Sequence, residues 1–323
     1  FFSPPTPQPP ILSGLVGSEM CIRDRCGIVG LFIKNPALES ELGSLVAPML
    51  SEMTERGPDS AGIAVYRNPQ KDGCKITILA QQQDFDWGVL EDAIKSKFAL
   101  KNISITRNHA VLSLDSEIDE VQDWVNENWS DLSITSAGTN IEIFKGKGNP
   151  AEFIDQFDIK SMSGTHALGH TRMATESAIT TEHSHPFSTG QDLCLVHNGS
   201  LSNHNRLRET LSRNGVQFKT DNDSEVAAGY LSWRLSEGDD LDQALNHAIE
   251  DLDGFYTFAI GTRDGFAVMR DPIGCKPAIM AETDDWAAMS SEYRAIATLP
   301  GAENARIWEP EPTQIYSWKR SPA

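Results

Sequence analysis

The segment from residue 26 to residue 80 constrains the fold most, because it joins a buried strand, an amphipathic helix and two more strands in direct succession. CGIVGLFI, from Cys26 to Ile33, is apolar apart from its glycines, which is typical of a buried strand. Between residues 42 and 53, Leu, Val and Met recur at helical spacing, and the pattern stops at Gly57 and Pro58. SAGIAVY and CKITILA are then predicted as strands. This order of elements predicts an α+β fold.

The rest of the chain continues the mixture of helices and strands. Helices are predicted over SNHNRLRETLSRNG, DSEVAAGYLSWRLSEG and LDQALNHAIEDLDG, and strands over FYTFAIGT, GFAVMRD and AIMAE. Residues 81–160 are less patterned, with an acidic helix over DSEIDEVQDWVNENW, a strand over NIEIFKG and a short helix over PAEFIDQF. We expect residues 81–160 to be an elaboration within one domain that spans residues 26–323.

Composition excludes several classes of function. The chain has 323 residues, of which 39% are hydrophobic, enough to build a core. Its formal net charge of -19 repels phosphate backbones, so we expect no binding to nucleic acid or to an anionic membrane. No apolar run approaches the length of about 20 residues that a membrane span needs. The five cysteines form no C-x-x-C pair, which favours a reducing, cytoplasmic setting without a disulfide framework.

The first 25 residues differ from the remainder. They begin with a Pro-rich tract that cannot nucleate a helix or a central strand, so we expect this extension to be disordered. A signal peptide is disfavoured, because Arg23 and Arg25 follow the apolar stretch instead of preceding it. Two interpretations remain open: a propeptide removed before Cys26, or a sequencing artefact fused to the coding sequence. In both cases folding begins at Cys26.

Cys26 is a candidate nucleophile. Gly27 follows it and carries no Cβ that would block the approach of a substrate to the sulfur. If the mature chain begins at Cys26, one residue carries a thiol with a pKa of about 8.5 and an amine with a pKa of about 7.7 to 8.0. The amine can then serve as the general base for the thiol. A preceding peptide bond would turn this nitrogen into an amide and remove its basicity.

Other polar residues suggest a ligand for this thiol. Asn198 and Gly199, after the apolar strand DLCLV, can supply a side-chain amide and a backbone N–H to an oxyanion. Arg172 can bind a carboxylate in bidentate fashion, and Asp223 can face an ammonium group. A ligand with an acyl carbon for the thiol, a carboxylate for Arg172 and an amine for Asp223 is an amino acid with a side-chain amide, and glutamine fits all three.

Each of these residues also has a purely structural interpretation. Cys26 alone could be a small buried hydrophobe, and Asn198 with Gly199 an ordinary turn. Arg172 could form a structural ion pair. Asp223 could be only the N-cap of the helix that follows it. The three cysteines that follow Cys26 in the chain, Cys74, Cys194 and Cys275, are expected to be packing residues.

Seven short strings, taken in order along the chain, resemble class II glutamine amidotransferases. They cover the region from Cys26 onward, and their succession is far more specific than any single one. They are C-G-I-V-G at 26–30, R-G-P-D-S-A-G at 56–62, G-H-T-R-M-A-T at 169–175, H-N-G at 197–199, D-S-E at 223–225, D-G-F-Y-T-F-A-I at 253–260 and R-D-P-I-G-C-K-P at 270–277.

The resemblance implies a fold and a set of roles. The fold is the four-layer αββα sandwich of N-terminal nucleophile hydrolases. The family pattern makes Cys26 the nucleophile and Asn198 with Gly199 the oxyanion hole. It makes Arg172 the ligand of the substrate α-carboxylate and Asp223 the ligand of its α-amine. Two further residues are assigned to the substrate pocket, Arg56 as a residue that shapes its loop and His170 as a binding residue.

Departures from the pattern narrow the subfamily. Glu176 and Ser177 stand where sugar-aminating relatives carry His and Gly, so their specificity does not transfer. The 81–160 elaboration and the ending W-E-P-E-P look most like the amidotransferase subunit of glutamate synthase-like enzymes, including N-methylglutamate synthase (methylamine-glutamate N-methyltransferase). No phosphate-binding loop or ATP pyrophosphatase loop is present. We therefore expect a hetero-oligomer in which this chain carries no cofactor and synthase-type partner subunits hold the acceptor site and any flavin or iron–sulfur cluster.

Three rival hypotheses remain. The chain could be a catalytically silent glutamine-binding regulatory subunit, although the presence of Cys26 with Asn198 and Gly199 argues against it. It could be a hydrolase of another amide, although Arg172 with Asp223 favours a free amino acid. A metal site is disfavoured because no regular ligand spacing accompanies the five histidines considered, His170, His183, His185, His197 and His204.

Overall fold

The computed structural model describes residues 26–67, 69–173, 181 and 184–320. The predicted disordered extension, residues 1–25, lies outside the described residues. Sixteen strands occur in the described part of the chain, and they form three sheets in which all paired strands are antiparallel. No helix in these ranges is long and apolar enough to cross a bilayer.

The first sheet has seven strands in the order β15-β13-β14-β1-β8-β2-β7. Its central strand is the predicted one at the start of the folded chain. The strands are β1 (Gly27–Ile33), β2 (Ser60–Tyr66), β7 (Ile141–Lys147), β8 (His166–Arg172), β13 (Ile279–Glu282), β14 (Trp286–Ser290) and β15 (Arg306–Trp308).

The second sheet has five strands in the order β16-β12-β11-β10-β9. Its two longest strands, β10 and β11, form an antiparallel pair that aligns Cys194 with Gly261 and Leu201 with Gly254. The strands are β9 (Phe187–Gly190), β10 (Leu193–Leu201), β11 (Gly254–Thr262), β12 (Gly265–Arg270) and β16 (Tyr316–Lys319).

The two sheets pack face to face through alternate side chains. In β1, Ile28 and Phe32 point toward the second sheet, where they join a buried cluster that includes Val196 and Phe266. Side chains of opposite parity in β1, such as Leu31, point away from this cluster into a separate core. A strand buried on both faces needs apolar residues at nearly every position, which explains the continuous apolar run of β1.

Helices cover both outer faces of this sandwich. Helices α1, α4 and α8 pack on the first sheet, and α5, α6 and α7 pack on the second. The layers are thus helix, sheet, sheet, helix, which confirms the predicted α+β αββα sandwich. The helices are α1 (Leu42–Glu52), α4 (Pro150–Gln156), α5 (His204–Arg213), α6 (Asp223–Ser236), α7 (Leu241–Asp251) and α8 (Tyr293–Ile296).

A third sheet with its own core is attached to the sandwich. Its order is β4-β5-β3-β6, and two helices, α2 and α3, complete its core. The predicted 81–160 elaboration overlaps this unit, whereas β7 and α4 within that range belong to the sandwich. The elements are β3 (Cys74–Ala80), α2 (Trp87–Lys97), β4 (Leu100–Thr106), β5 (His109–Leu114), α3 (Ile118–Asn128) and β6 (Leu132–Gly138).

Gly30 allows the two sheets of the sandwich to approach each other. A Cβ at Gly30 would lie 2.6 Å from Cε2 of Phe266, which belongs to the opposite sheet. We therefore expect Gly30→Ala to lower the free energy of unfolding by about 1 to 3 kcal/mol through overpacking. Urea unfolding followed by circular dichroism measures this change.

Gly88→Ala is the matched control for Gly30→Ala. In α2 the nearest atom to a Cβ at Gly88 would be Oδ1 of Asp86, at 3.2 Å. The same substitution should leave the free energy of unfolding unchanged or raise it by up to about 1 kcal/mol, because Ala favours helices. Equal effects of the two substitutions would contradict the proposed close approach of the sheets.

Two buried histidines brace the structure away from the sheet end that carries Cys26. His166 stacks on Tyr66 with ring centroids 4.0 Å apart, and its Nε2 lies 2.9 Å from the backbone oxygen of Thr262. His109 Nε2 accepts a hydrogen bond from the backbone N–H of Lys145. Burial lowers the pKa of both imidazoles from the ordinary 6.5 to about 3, so both are neutral in the folded protein.

These histidines predict a loss of stability in acid. In the unfolded chain each imidazole takes up a proton below about pH 6.5, whereas in the folded chain it stays neutral down to about pH 3. Stability is therefore complete above pH 6.5 and falls as the pH is lowered. At pH 5 each histidine should cost about 2 kcal/mol relative to pH 8. Urea unfolding at several pH values measures the slope.

His166→Phe tests this assignment because it keeps a ring against Tyr66 but cannot titrate. The variant should be less stable at neutral pH, since it loses the hydrogen bond to the backbone of Thr262. Its slope of stability against pH between 6 and 5 should be smaller by about 1 kcal/mol per pH unit. A slope identical to that of the unsubstituted protein would refute the assignment.

Candidate active site

The predicted site residues from both sheets meet at one end of the sandwich. Cys26 immediately precedes β1, and Gly27 pairs with Thr171, the neighbour of Arg172 at the end of β8. Asn198 and Gly199 lie in β10 of the second sheet. The fold therefore brings together residues that are more than 170 positions apart in the chain.

Cys26 is held through its backbone oxygen. This oxygen accepts a hydrogen bond from Asn198 Nδ2 at 3.2 Å and one from Arg56 Nε at 3.1 Å. A carbonyl oxygen only accepts, so these contacts also fix which atom of the Asn198 amide faces Cys26. The cysteine itself is half-buried and forms no disulfide with another described cysteine. This partial exposure does not match the interpretation of Cys26 as a small buried hydrophobe.

Asn198 reaches Cys26 because β10 alternates its side chains between two layers. Cys194 and Val196 point into the cluster between the sheets, and Asn198 follows with the same parity. Leu195 and His197 have the opposite parity, and Leu195 packs into the core beneath the helices. Asn198 thus faces the first sheet and is completely buried.

Gly199 continues the strand instead of forming a turn. It pairs with Tyr256 of β11 and has a φ of 142°, a conformation that side-chain-bearing residues rarely adopt. A Cβ at this position would also overlap the backbone oxygen of Phe255. Because H-N-G lies within Leu193–Leu201, the interpretation of Asn198 and Gly199 as an ordinary turn is wrong.

Arg56 links Cys26 to a residue that the sequence did not point to. Its Nη1 donates to Oε1 of Glu292 at 2.9 Å, and the Arg56 side chain is only 17% exposed. Ser291 lies beside Glu292, and its Oγ accepts a hydrogen bond from the backbone N–H of Ile28 at 3.0 Å. The sequence shows only the polar run S-E-Y-R at 291–294 directly after the buried strand β14, and nothing in this run links Glu292 to Cys26.

Arg172 is the last residue of β8 and is half-buried opposite Ser60 of β2. Its backbone oxygen accepts a hydrogen bond from the backbone N–H of Asp59 at 3.1 Å. A Cβ at Gly57 would overlap the backbone of Arg172. The loop R-G-P-D-S-A-G therefore packs tightly against the end of β8, which accounts for its glycine.

Asp223 is the first residue of α6 but not its N-cap. Asn222 is the N-cap, since its side chain accepts the backbone N–H of Ser224 at 2.8 Å. Asp223 Oδ2 instead accepts the backbone N–H of Leu201 at 2.8 Å, and Oδ1 lies 3.9 Å from His197 Nδ1. The capping interpretation of Asp223 is wrong, and its carboxylate faces the end of β10.

His170, assigned to the substrate pocket by resemblance, lies between the two sheets. Its Nε2 donates to the backbone oxygen of His197 at 3.1 Å, and its ring stacks on His185 with centroids 4.0 Å apart. Burial lowers the pKa of His170 to about 3, so the ring is neutral. This geometry favours a role in bracing the strands over direct contact with a substrate.

The histidine cluster does not converge on a metal position. No group of three or more potential ligands that could hold a metal occurs among the residues that the structure describes. His204 Nδ1 lies 2.7 Å from the backbone oxygen of Leu201, and His183 is outside the described residues, as are Glu176 and Ser177. Of the other cysteines, Cys74 and Cys194 are buried as expected, but Cys275 is exposed.

Most of the chain is similar to glutamine amidotransferases and amidotransferase-like proteins. A family model described as a glutamine amidotransferase domain matches residues 170–298. The chain is 50% identical over 299 residues to the glutamine amidotransferase-like protein GlxB of Rhizobium meliloti (strain 1021), covering 92% of this chain and 99% of that protein. It is 34% identical over 171 residues to the amidophosphoribosyltransferase of Archaeoglobus fulgidus, covering 52% of this chain and 37% of that enzyme.

A solved structure shares the fold. Glutamine phosphoribosylpyrophosphate amidotransferase from B. subtilis, in complex with ADP and GMP, superposes with a TM-score of 0.57 at 20% sequence identity. The match covers 91% of this chain and 49% of that one. Because of the near full-length similarity to GlxB and the shared αββα sandwich, this chain belongs to the class II glutamine amidotransferases.

Proposed function

We propose that the protein hydrolyses L-glutamine to L-glutamate and ammonia through a thioester on Cys26. One observation carries the proposal: the amide of Asn198 donates to the backbone oxygen of Cys26, so that a cysteine and a side-chain donor lie together at the end of two packed sheets. The Asn198 amide has two N–H groups, and this contact uses one of them. The other is available to a tetrahedral oxyanion beside the Cys26 sulfur.

The proposed reaction uses both functional groups of an N-terminal Cys26. The amine takes the thiol proton, and the sulfur attacks the side-chain amide carbon of glutamine. The resulting oxyanion accepts hydrogen bonds from Asn198 Nδ2 and the backbone N–H of Gly199. The C–N bond then breaks as the Cys26 ammonium returns its proton to the leaving nitrogen, which departs as ammonia. Water, deprotonated by the same amine, attacks the thioester to release glutamate and the thiol.

The two ends of the substrate backbone require opposite charges. In this proposal Arg172 binds the α-carboxylate, for which the planar guanidinium fork is suited. Asp223 binds the α-amine. One of its oxygens accepts the backbone N–H of Leu201, and among the described residues the other makes longer contacts, 3.4 Å from Ser224 Oγ and 3.9 Å from His197 Nδ1. The carboxylate is 21% exposed, as a ligand-binding group must be.

We further propose that the ammonia passes to a partner polypeptide in a glutamate synthase-like enzyme, such as N-methylglutamate synthase, in the cytoplasm. The similarity to the amidophosphoribosyltransferase of Archaeoglobus fulgidus covers only part of that enzyme, so the remainder of that enzyme has no counterpart in the match. Co-purification of the native protein with synthase-type subunits that carry a flavin or an iron–sulfur cluster tests this assignment.

The direct test is glutamine hydrolysis by the chain that begins at Cys26. We expect release of glutamate and ammonia in equal amounts, and mass spectrometry of the active protein should find Cys26 as the first residue. Cys26→Ala should bind glutamine without hydrolysing it. Cys74→Ala, which removes a buried thiol from the third sheet, should retain hydrolysis.

Three outcomes of this assay would contradict the proposal. Activity of protein that retains residues 1–25 would exclude the α-amine as the base. Glutamine binding without hydrolysis, even with partner subunits present, would indicate a regulatory binding subunit. Equal rates with unrelated amides would indicate a general amide hydrolase.

Arg172→Lys tests the carboxylate ligand. A lysine keeps the positive charge but loses the bidentate fork, so we expect KM for glutamine to rise about tenfold with a small change in kcat. Arg67→Lys is the matched control, because Arg67 pairs with Glu142 away from Cys26 and should leave KM unchanged. Steady-state kinetics that show the same KM for Arg172→Lys and the unsubstituted protein would remove Arg172 from the substrate site.

A further inference from the structure

Ser224 occupies the centre of a buried hydrogen-bond network beside the proposed site. The second residue of α6 is only 1% exposed. Its Oγ lies 2.8 Å from His185 Nε2 and 2.8 Å from His197 Nδ1. It also lies 3.4 Å from Oδ1 of Asp223. One hydroxyl therefore contacts two imidazoles and a carboxylate that come from three separate segments of the chain.

These contacts belong to a closed ring of interactions that includes residues of both sheets. His185 stacks on His170 of the first sheet, and His170 donates through Nε2 to the backbone oxygen of His197 in the second sheet. His197 returns to Ser224 through its own Nδ1. Both the backbone and the ring of His197 are thus held, immediately before Asn198 in β10.

The hydrogen-bond partners of the two imidazoles indicate which ring nitrogen of each carries the proton. His185 Nδ1 is buried and has no hydrogen-bond partner among the described residues, so its proton is better placed on Nε2, which faces Ser224. His197 Nδ1 faces both the Ser224 oxygen and the Asp223 carboxylate, which favours a proton on Nδ1. The Ser224 hydroxyl then accepts a hydrogen bond from each ring and donates one to Asp223 Oδ1. Both lone pairs and the single hydrogen of the hydroxyl are thus used.

We propose that Ser224 is a positioning residue for glutamine hydrolysis, which orients Asn198 through the ring of His197 and orients Asp223 by direct contact, while His185 holds the same hydroxyl. This inference rests on the proposed glutaminase function. Side chains alternate along β10, so fixing the ring of His197 on the helix side fixes the amide of Asn198 on the Cys26 side. Ser224 also adjoins Asp223 in α6, so the same hydroxyl relates the oxyanion donor to the amine ligand. Burial of His185 and His170 lowers their pKa values and keeps these two rings neutral.

Ser224→Ala tests the proposal by kinetics. The variant leaves two imidazoles without their common partner, so Asn198 and Asp223 lose their fixed orientation. We expect kcat to fall and KM to rise, with kcat/KM reduced by about 10- to 100-fold, the cost of a small misplacement of reacting groups. Ser232→Ala is the matched control, because Ser232 lies in the same helix, and among the described residues its Oγ lies 2.8 Å from the hydroxyl of Thr189 and contacts neither His185 nor His197.

A double variant separates positioning from a general loss of structure. If Ser224 acts on the oxyanion through Asn198, Ser224→Ala should lower kcat much less in an Asn198→Ala background than in the unsubstituted protein. Full additivity of the two losses in kcat would overturn the proposal. So would normal kcat and KM in Ser224→Ala, or an equal loss in Ser232→Ala.

Ring nitrogen NMR of the unsubstituted protein provides a readout that needs no glutamine turnover. With ¹⁵N-labelled histidine, we expect neutral rings with the proton of His185 on Nε2 and that of His197 on Nδ1, and a shift of both signals in Ser224→Ala. The opposite tautomer of His197 would overturn the proposal. Failure of the unsubstituted protein to hydrolyse glutamine would instead contradict the proposed function. The NMR signals would still test the hydrogen-bond network around Ser224.

Discussion

Two hydrogen bonds between the sheets determine whether the site exists at all. Asn198 Nδ2 donates across the sandwich to the backbone oxygen of Cys26, and His170 Nε2 donates in the opposite direction to the backbone oxygen of His197. Each joins a side chain of one sheet to the backbone of the other at the same end of the molecule. Because Cys26 and the proposed oxyanion donors come from different sheets, the sandwich must be packed before they can act together. Stability and function therefore depend on the same interface.

Three glycines lie where a methyl group would collide with a neighbouring element. Gly30 leaves room for the ring of Phe266 between the sheets, and Gly57 lets its loop lie against the end of β8. Gly199 combines a positive φ with contact to the backbone of Phe255. These three glycines thus have separate steric causes: a methyl group would meet the ring of Phe266 at Gly30, the backbone of Arg172 at Gly57 and the backbone of Phe255 at Gly199.

The sequence predicts the elements better than their meeting points. Apolar periodicity and end signals were sufficient for β1, for α5, whose C-cap is Asn214, and for the strands β11, β12 and β13. In the third sheet the sequence predicted β3 and α3 but not β4, β5, β6 and α2. One of the missed elements, β4, is an exposed edge strand without clear alternation. Local patterns also suggested a turn at H-N-G and a cap at Asp223, where long-range pairing produced a strand and a backbone contact. Glu292, 236 residues from Arg56, had no local signal that linked it to Cys26.

Although the net charge of the chain is -19, the candidate site has uncharged groups inside and one charge of each sign in partly buried positions. The interior between the sheets contains neutral histidines, because burial lowers the pKa of His170 to about 3. The charged candidates, Arg172 and Asp223, are only partly buried and have opposite signs. A zwitterionic amino acid would therefore be oriented by its charged end at the rim, while its uncharged amide would meet uncharged donors inside. An imidazolium between the sheets would place a positive charge near the amine of an N-terminal Cys26 and lower its pKa, weakening it as a base. The neutrality of the buried histidines is thus a condition for the proposed chemistry as well as for the fold.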